Sequence, residues 1–387
     1  MPFATSSDGA RIYYRLEGDD SYPLLLMVHS LGADHSMWDA QAPALLSRFQ
    51  ILRVDLRGHG ASDAPGGDYT MAQLAGDVLR VIDTVGRAEV FYCGLSIGGM
   101  IGQWIAANAA GRITRLVIAN SSSRFGDGSL FEARRRMALE QGMPAIAEVV
   151  IPRFFTARTI GRRLPRVASI RNNLLVMNAV GYAGCCAALR DADTSDMLSK
   201  IHVPTLVIVG DHDVSTPWEG HGELLAAGIA GAQAVRWPTA HLSNIEMPST
   251  FTAELFRFLL PPDSRDLFDA GLERRREVLG DAHVDRVFAN ATAFTREFQE
   301  MITRYAWGEI WTRPQFDART RRMLALTTLV ALGRWEEFRQ HVRTALANEL
   351  EAADLKEMLM QSAIYAGVPA ANTGFAIANE EIEKLAT

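Results

Sequence analysis

A doubly wound α/β sheet followed by an all-α domain is the fold class that the sequence predicts, on three observations. Before residue 261, short apolar runs alternate with helical stretches. After it, apolar residues recur at i, i+3 and i+4 almost throughout, and strand signals stop. Between the two, Pro261-Pro262-Asp263-Ser264 reads as a linker, because two prolines end the helix over Thr250–Leu260 and polar residues follow. The 387 residues fit two or three domains at ~150 residues each.

In the first half, Leu24–Val28, Ile51–Val54, Val90–Cys93, Leu116–Ala119 and Leu206–Val209 are nearly continuous apolar runs. Parallel strands covered on both faces read this way. Two later strands are expected at Val203–Val209, which extends the last of these runs, and at Ala234–Trp237. Residues 124–199 break the alternation with helical spacing and scattered aromatics, and predict a helical insertion, or lid, between two strands. The expected division is 1–260, a linker at 261–266, and 267–387. In the last part, helices are expected over Asp281–Tyr305, Thr320–Leu332, Trp335–Asn348, Asp354–Tyr365 and Pro369–Leu385. Asp317 is placed to cap one start, and Gly333 and Gly367 stand where helices should stop.

Composition narrows the function classes. A net charge of −6 is a poor match to polyanionic nucleic acid. Three cysteines, two of them adjacent at Cys185 and Cys186, do not make a disulfide framework and suit a reducing compartment. No apolar run approaches the ~20 residues that span a bilayer, and the N-terminus shows no secretory pattern. The expectation is a soluble, cytoplasmic protein whose partners are small molecules, not nucleic acid or membrane.

The strand Val90–Cys93 runs into Gly94-Leu95-Ser96-Ile97-Gly98-Gly99 and then a helix over Met100–Ala110. A G-x-S-x-G turn between strand and helix strains its central residue and lifts the Ser96 hydroxyl above the sheet, at the positive helix end. A nucleophile needs a base and an acid that orients the base, in the chain order Ser, acid, His. Asp213, deep in the loop 210–217 after a late strand, is the expected acid, with Asp211 as the alternative. His241, after the last strand, is the expected base. His29 and His59 lie in tight turns and read as loop-shaping residues. The backbone amides of Leu31 and Ile97 are the expected oxyanion donors. No metal-ligand cluster is visible in the sequence.

These motifs carry a family resemblance. "HSLGADHSMW" (29–38), "DLRGHGASDAP" (55–65), "GLSIGGMIGQW" (94–104), "GDHDVSTP" (210–217) and, most specifically, the lid stretch "GYAGCCAALRDAD" (181–193) resemble the 3-oxoadipate enol-lactonases, which are α/β-hydrolases. The resemblance implies hydrolysis of a small enol-lactone bearing a carboxylate, and Arg134 in the lid is a candidate to bind it. Residues 267–386 resemble the 4-carboxymuconolactone decarboxylases, through "GLERRREVLGDAHVDR" (271–286), "MITRYAWGEIWTRP" (301–314) and "IYAGVPAAN" (364–372). The implied fold is that of the alkylhydroperoxidase-like proteins, but this part has no cysteine, which excludes thiol peroxidase chemistry. "LANELEAADLKE" (346–357) departs from the family's Gly-Val-Thr helix start, and a weakened cap is expected there.

The implied decarboxylation leaves an electron pair conjugated to the lactone carbonyl. The lactone is its own electron sink, so no cofactor is expected. A proton and stabilisation of the dienolate oxygen are needed. His341 is the expected proton donor, since an unperturbed imidazole has a pKa of ~6.5. Glu309, Arg313 and Arg322 are candidate substrate contacts. Trp307, Trp311 and Phe316 are expected to form the contact of a homo-oligomer. Because decarboxylase product is lactonase substrate, the two resemblances together imply a bifunctional enzyme of protocatechuate degradation, in the β-ketoadipate pathway. The alternatives are a hydrolase carrying a helical oligomerisation module, and a ligand receptor on a hydrolase scaffold.

Overall fold

The computed structural model describes residues 2–260 and 264–385, with side chains described throughout except at 264–266. Pro261, Pro262 and Asp263 of the expected linker lie outside the described residues. The chain divides into two compact units, Met1–Leu260 and Pro261–Thr387.

The first unit is built on eight strands: β1 (Phe3–Thr5), β2 (Arg11–Glu17), β3 (Leu24–Val28), β4 (Gln50–Val54), β5 (Val90–Leu95), β6 (Ile113–Ala119), β7 (Thr205–Gly210) and β8 (Gln233–Trp237). Their order in the sheet is β1-β2-β4-β3-β5-β6-β7-β8. From β4 to β8 all neighbours are parallel, whereas β2 pairs antiparallel with both β1 and β4. The apolar strands β3 and β4 are buried along their whole length. The edge strand β1 and its neighbour β2 are absent from the sequence reading. Arg11–Glu17 mixes charged and apolar residues and keeps much of its length partly exposed, so no apolar run marks it.

This order places the site. The chain goes from β3 to β4 on one side, then returns to β5 on the other. The loops after β3 and β5 therefore open side by side at the carboxyl ends of the strands, at a topological switch point. The insertion over residues 124–199 is helical, with Ser129–Phe154, Ala157–Gly161, Pro165–Val176 and Ala179–Asp191 as its main segments. Its base is tied by a bridge between Arg124 and Asp193. It lies against the sheet's loops at a glycine pair: a Cβ on Gly58 (φ +78°) would meet Gly181 Cα at 2.4 Å. That contact explains why both the "RGHG" turn and the "GYAG" lid stretch need glycine.

Among the described residues the second unit has helices and no strand. The expected helix Asp281–Tyr305 is three segments: Asp281–Ala289, Ala293–Ile302 and a π-helical stretch Thr303–Ile310. Asn290 and Ala291 interrupt it, and Thr292 restarts it by accepting from Thr295 N–H. Apolar periodicity runs through such a break, which is why the sequence hides it. A helix over Ser264–Leu279 was likewise not expected. Asp317 Oδ1 accepts from Thr320 N–H at 2.7 Å, and Gly333 and Gly367 both take positive φ at helix ends. The cap expected to be weak is made locally: the Asp354 carboxylate accepts from Glu351 N–H at 3.1 Å. No helix among the described residues is long and apolar enough to cross a membrane.

Candidate active sites

In the first unit, Ser96 sits between β5 and the helix Ile97–Asn108 with φ +58°. A serine in this region is strained, and the structure around it leaves no alternative. A Cβ on Gly94 would lie 2.2 Å from Gly98 O, and one on Gly98 2.4 Å from Val28 O. The backbones of β3, β5 and the helix thus meet at the turn. Ser96 N–H donates to Ala119 O at 2.9 Å, and Ser121 Oγ donates to Ser96 O at 2.7 Å.

His241 Nδ1 is 2.8 Å from Asp213 Oδ2. Asp213 also accepts from Thr216 Oγ1 (2.7 Å), Asn120 Nδ2 (3.1 Å) and the amides of Ser215 and Thr216. Burial alone would raise its pKa, but His241 and these donors outweigh burial and hold the carboxyl far below its usual range. Asp213 is therefore an anion that fixes Nδ1 as the protonated nitrogen of His241, leaving Nε2 bare. Asp211, the alternative, pairs instead with Arg236 at the surface. The lid residue Phe154 stacks on the His241 ring, with centroids 5.8 Å apart.

Ser96 and His241 line one cavity with Ser30, Leu31, Arg134 and Phe154. The amides of Leu31 and Ile97 donate to no group among the described residues. Arg134 is buried, 8% exposed, lies over the Phe131 ring and has no ion-pair or hydrogen-bond partner among the described residues. Burial and the charge of Arg134 also lower the pKa of neighbouring Arg153. The cavity is apolar in its walls and cationic at one side, which suits a small ester or lactone carrying a carboxylate.

The two histidines read as loop-shaping from the sequence do hold loop backbone. His59 Nε2 accepts from Gly32 N–H at 3.1 Å, while its Nδ1 faces Arg57 O at 3.2 Å. His29 Nε2 accepts from Leu56 N–H at 2.9 Å. Both rings are neutral spacers inside the fold. Asp34, His35 and Asp55 form a cluster of metal-ligand type unseen in the sequence. Their oxygens already accept from Ser36, Asn173, Ala61 and His35, so the cluster is an internal hydrogen-bond network.

In the second unit, His341 lies on Trp335–Asn348, half-buried, with Trp311 stacked on it at 6.2 Å and Trp307 stacked on Trp311 at 5.0 Å. Arg322 Nη1 donates to His341 Nδ1 at 2.9 Å. The expectation that Arg322 binds substrate does not hold. Its side chain is fully buried and all five N–H donors are taken: Nε and Nη2 by Glu349, Nη1 by His341 and Thr344, Nη2 again by Val278 O. Burial, then Arg322, then His283, push His341 down to about 4, away from the near-neutral value expected. Glu309 and Arg313 are exposed, and their charged heads have no protein partner among the described residues.

Family models match each unit: alpha/beta hydrolase fold over residues 23–160, and the Carboxymuconolactone decarboxylase family over 296–380. 3-Oxoadipate enol-lactonase 2 of Acinetobacter baylyi is 34% identical over 247 residues, 64% of this chain and 92% of that protein. 4-Carboxymuconolactone decarboxylase of the same organism is 41% identical over 118 residues, 30% of this chain and 88% of that protein. The chain belongs to both families, one in each unit. The crystal structure of the enol-lactonase from Burkholderia xenovorans LB400 superimposes on the hydrolase unit with a TM-score of 0.65. It is 40% identical and covers 67% of this chain and 99% of its own.

The buried imidazoles of the hydrolase unit make a pH prediction. Burial first, then the charge of His29, push His59 down to about 3. Unfolded, it titrates near ~6.5, so the folded state binds fewer protons and loses stability as pH falls below that value. Between pH 7 and 5 the loss from this group is about 2 kcal/mol. His35 acts with the opposite sign: burial lowers its pKa, but Asp55 outweighs burial and raises it. Its contribution is full below ~6.5 and fades as pH rises through the raised value. Urea unfolding of wild type and His59→Asn at both pH values isolates the term. The variant should lose about 2 kcal/mol less on acidification, and equal losses would reject a neutral buried His59.

Proposed function

We propose that the chain is a bifunctional enzyme of protocatechuate degradation, working in the cytoplasm, in which the second unit acts first. It converts 4-carboxymuconolactone to 3-oxoadipate enol-lactone, and the hydrolase unit opens that lactone to 3-oxoadipate. The observation that carries this reading is the pairing in one chain of two units whose relatives are named for consecutive reactions. The cavity holding Ser96, His241 and Arg134, which has no ion-pair or hydrogen-bond partner among the described residues, supports the hydrolytic half.

In that cavity the lactone carboxylate pairs with Arg134, and Ser96 Oγ attacks the ring carbonyl while His241 Nε2 takes its proton. The tetrahedral oxyanion is received by the amides of Leu31 and Ile97. Ring opening releases an enol oxygen that accepts the proton from His241, and the enol becomes a ketone. Water, deprotonated by His241, then frees the acyl group from Ser96. In the second unit, loss of CO2 drives electrons through the ring double bond to the lactone's carbonyl oxygen. His341, held by Arg322, is the candidate group for that step, and Glu309 and Arg313 remain candidate substrate contacts. No cofactor is required in either step. The test is to supply carboxymuconolactone to the full chain. CO2 release followed by 3-oxoadipate supports the reading; CO2 release with accumulation of the enol-lactone, or no turnover, defeats it.

The partners would include further copies of the chain. The helix Ala293–Ile302 buries none of its residues, and Phe294, Phe298, Met301 and Tyr305 form an exposed apolar stripe at spacings of four, three and four. Phe294 is 94% exposed. Of the residues expected at such a contact, Trp307 is buried against Trp311, which stacks on His341, whereas Phe316 stays half-exposed beside the Arg321 guanidinium. A homo-oligomer joined through the stripe would cover it. Sedimentation should show an assembly in wild type that Phe298→Glu with Tyr305→Glu dissociates; a wild-type monomer across a wide dilution range would reject it.

A further inference from the structure

The hydrogen-bond chain Glu349–Arg322–His341 constrains how His341 can act. A guanidinium has donors only, so the 2.9 Å contact from Arg322 Nη1 to His341 Nδ1 is possible only when that nitrogen offers its lone pair. Nδ1 is then unprotonated, and the proton of the neutral ring is on Nε2. Arg322 has no freedom to turn away. Glu349 grips its Nε and Nη2 at 3.1 and 3.0 Å, and Val278 O and Thr344 Oγ1 hold the remaining N–H groups. The charged and titratable groups facing the ring are Arg322 from the helix Ala318–Ala331 and His283 from Asp281–Ala289, and both disfavour a second proton. Glu349 neutralises Arg322 from behind without touching His341.

We propose that Arg322, held by Glu349, is a positioning residue that locks His341 in its neutral Nε2–H tautomer, so that His341 serves decarboxylation as a hydrogen-bond donor to the dienolate oxygen and not as an imidazolium acid. The proposal rests on the decarboxylase reading above. The C–CO2 bond breaks, its electron pair moves through the ring double bond, and charge gathers on the lactone's carbonyl oxygen. The Nε2–H of His341 stabilises that oxygen without transferring its proton. The ring carbon takes its proton from water, and the hydroxide left behind combines with the released CO2 as bicarbonate. A neutral donor suits this task because it does not change protonation state during turnover.

The experiment is nitrogen NMR of the full chain carrying 15N-labelled histidine, with His341 assigned by its absence in His341→Gln. In wild type, His341 should show the Nε2–H tautomer and stay neutral from pH 8 down to at least 5.5. A ring protonated on Nδ1, or one titrating near 6.5, overturns the proposal whether or not the chain decarboxylates. Conversely, an inactive chain with the expected tautomer defeats the decarboxylase reading and leaves the lock standing. Arg322→Met should free Nδ1, mix the tautomers, bring the ring's titration above pH 5.5 and lower decarboxylation kcat by about 10-fold or more. Arg322→Lys, which keeps a donor, should restore the tautomer and part of kcat. If Arg322→Met does not fold, wild type and Arg322→Lys decide: a lysine variant with mixed tautomers and wild-type kcat would show that the lock does not matter to the reaction.

Discussion

Ser96→Ala is expected to remove lactone hydrolysis by about three to six powers of ten while leaving decarboxylation at the wild-type rate. Loss of the nucleophile from a Ser-His-Asp set leaves only what the oxyanion donors and substrate binding supply, about 10³–10⁴ over water in hydrolases of this kind. The His241–Asp213 pair would survive the change, because Asp213 is held by Thr216, Asn120 and two amides that do not involve Ser96. Fed with carboxymuconolactone, the variant should accumulate enol-lactone, which a coupled assay reads as CO2 without 3-oxoadipate. The alanine should also relieve a strained serine at φ +58° only slightly, since the turn is set by the glycines around it. Lactone hydrolysis at the wild-type rate would mean that water attacks directly and that the serine is a bystander.

The grouping of Ser96, Asp213 and His241 is legible in the sequence because each of them follows a strand. Strands of continuous apolar residues are easy to place, and their carboxyl ends put Ser96, Asp213 and His241 at one edge of the sheet. The choice between Asp213 and Asp211 was not fixed by order. It depends on Thr216 and Asn120 surrounding one carboxylate and Arg236 drawing the other to the surface. The second site was less readable for a physical reason. His341 can be picked out as a histidine on a helix, but its protonation depends on Arg322, 19 residues before it. Arg322 in turn depends on Glu349, 27 residues further on than itself. Contacts between helices have no signature of spacing along the chain. An arginine in a charged run reads as a solvated face or a substrate contact, and only packing reveals it as buried. The π-helical stretch that carries Trp307 toward His341 is hidden in the same way, since an extra residue per turn shifts a periodic pattern without erasing it.

His341→Ala is expected to slow decarboxylation by about 100- to 1,000-fold, the usual cost of removing one donor from a developing oxyanion. Lactone hydrolysis should be unchanged, because Ser96, Asp213 and His241 lie in the other unit. The size of the loss follows from the chemistry: a dienolate oxygen left without a donor beside the stacked rings of Trp311 and Trp307 is poorly solvated. His341→Gln restores an N–H and should recover part of the rate, which a residue needed only for packing would not explain. The pH profile separates the possible roles further. His341 is pushed down to about 4, so a neutral working form remains intact through pH 6–8 and fails only as pH falls toward that value. An imidazolium donor would show the opposite limb, with activity lost as pH rises through its pKa. Decarboxylation by the full chain, followed as CO2 release from pH 4.5 to 8.5, should therefore fall only on the acid side, and that fall should vanish in His341→Gln. If His341→Ala turns over at the wild-type rate, the dienolate oxygen is stabilised by other groups, and Glu309 becomes the next residue to replace.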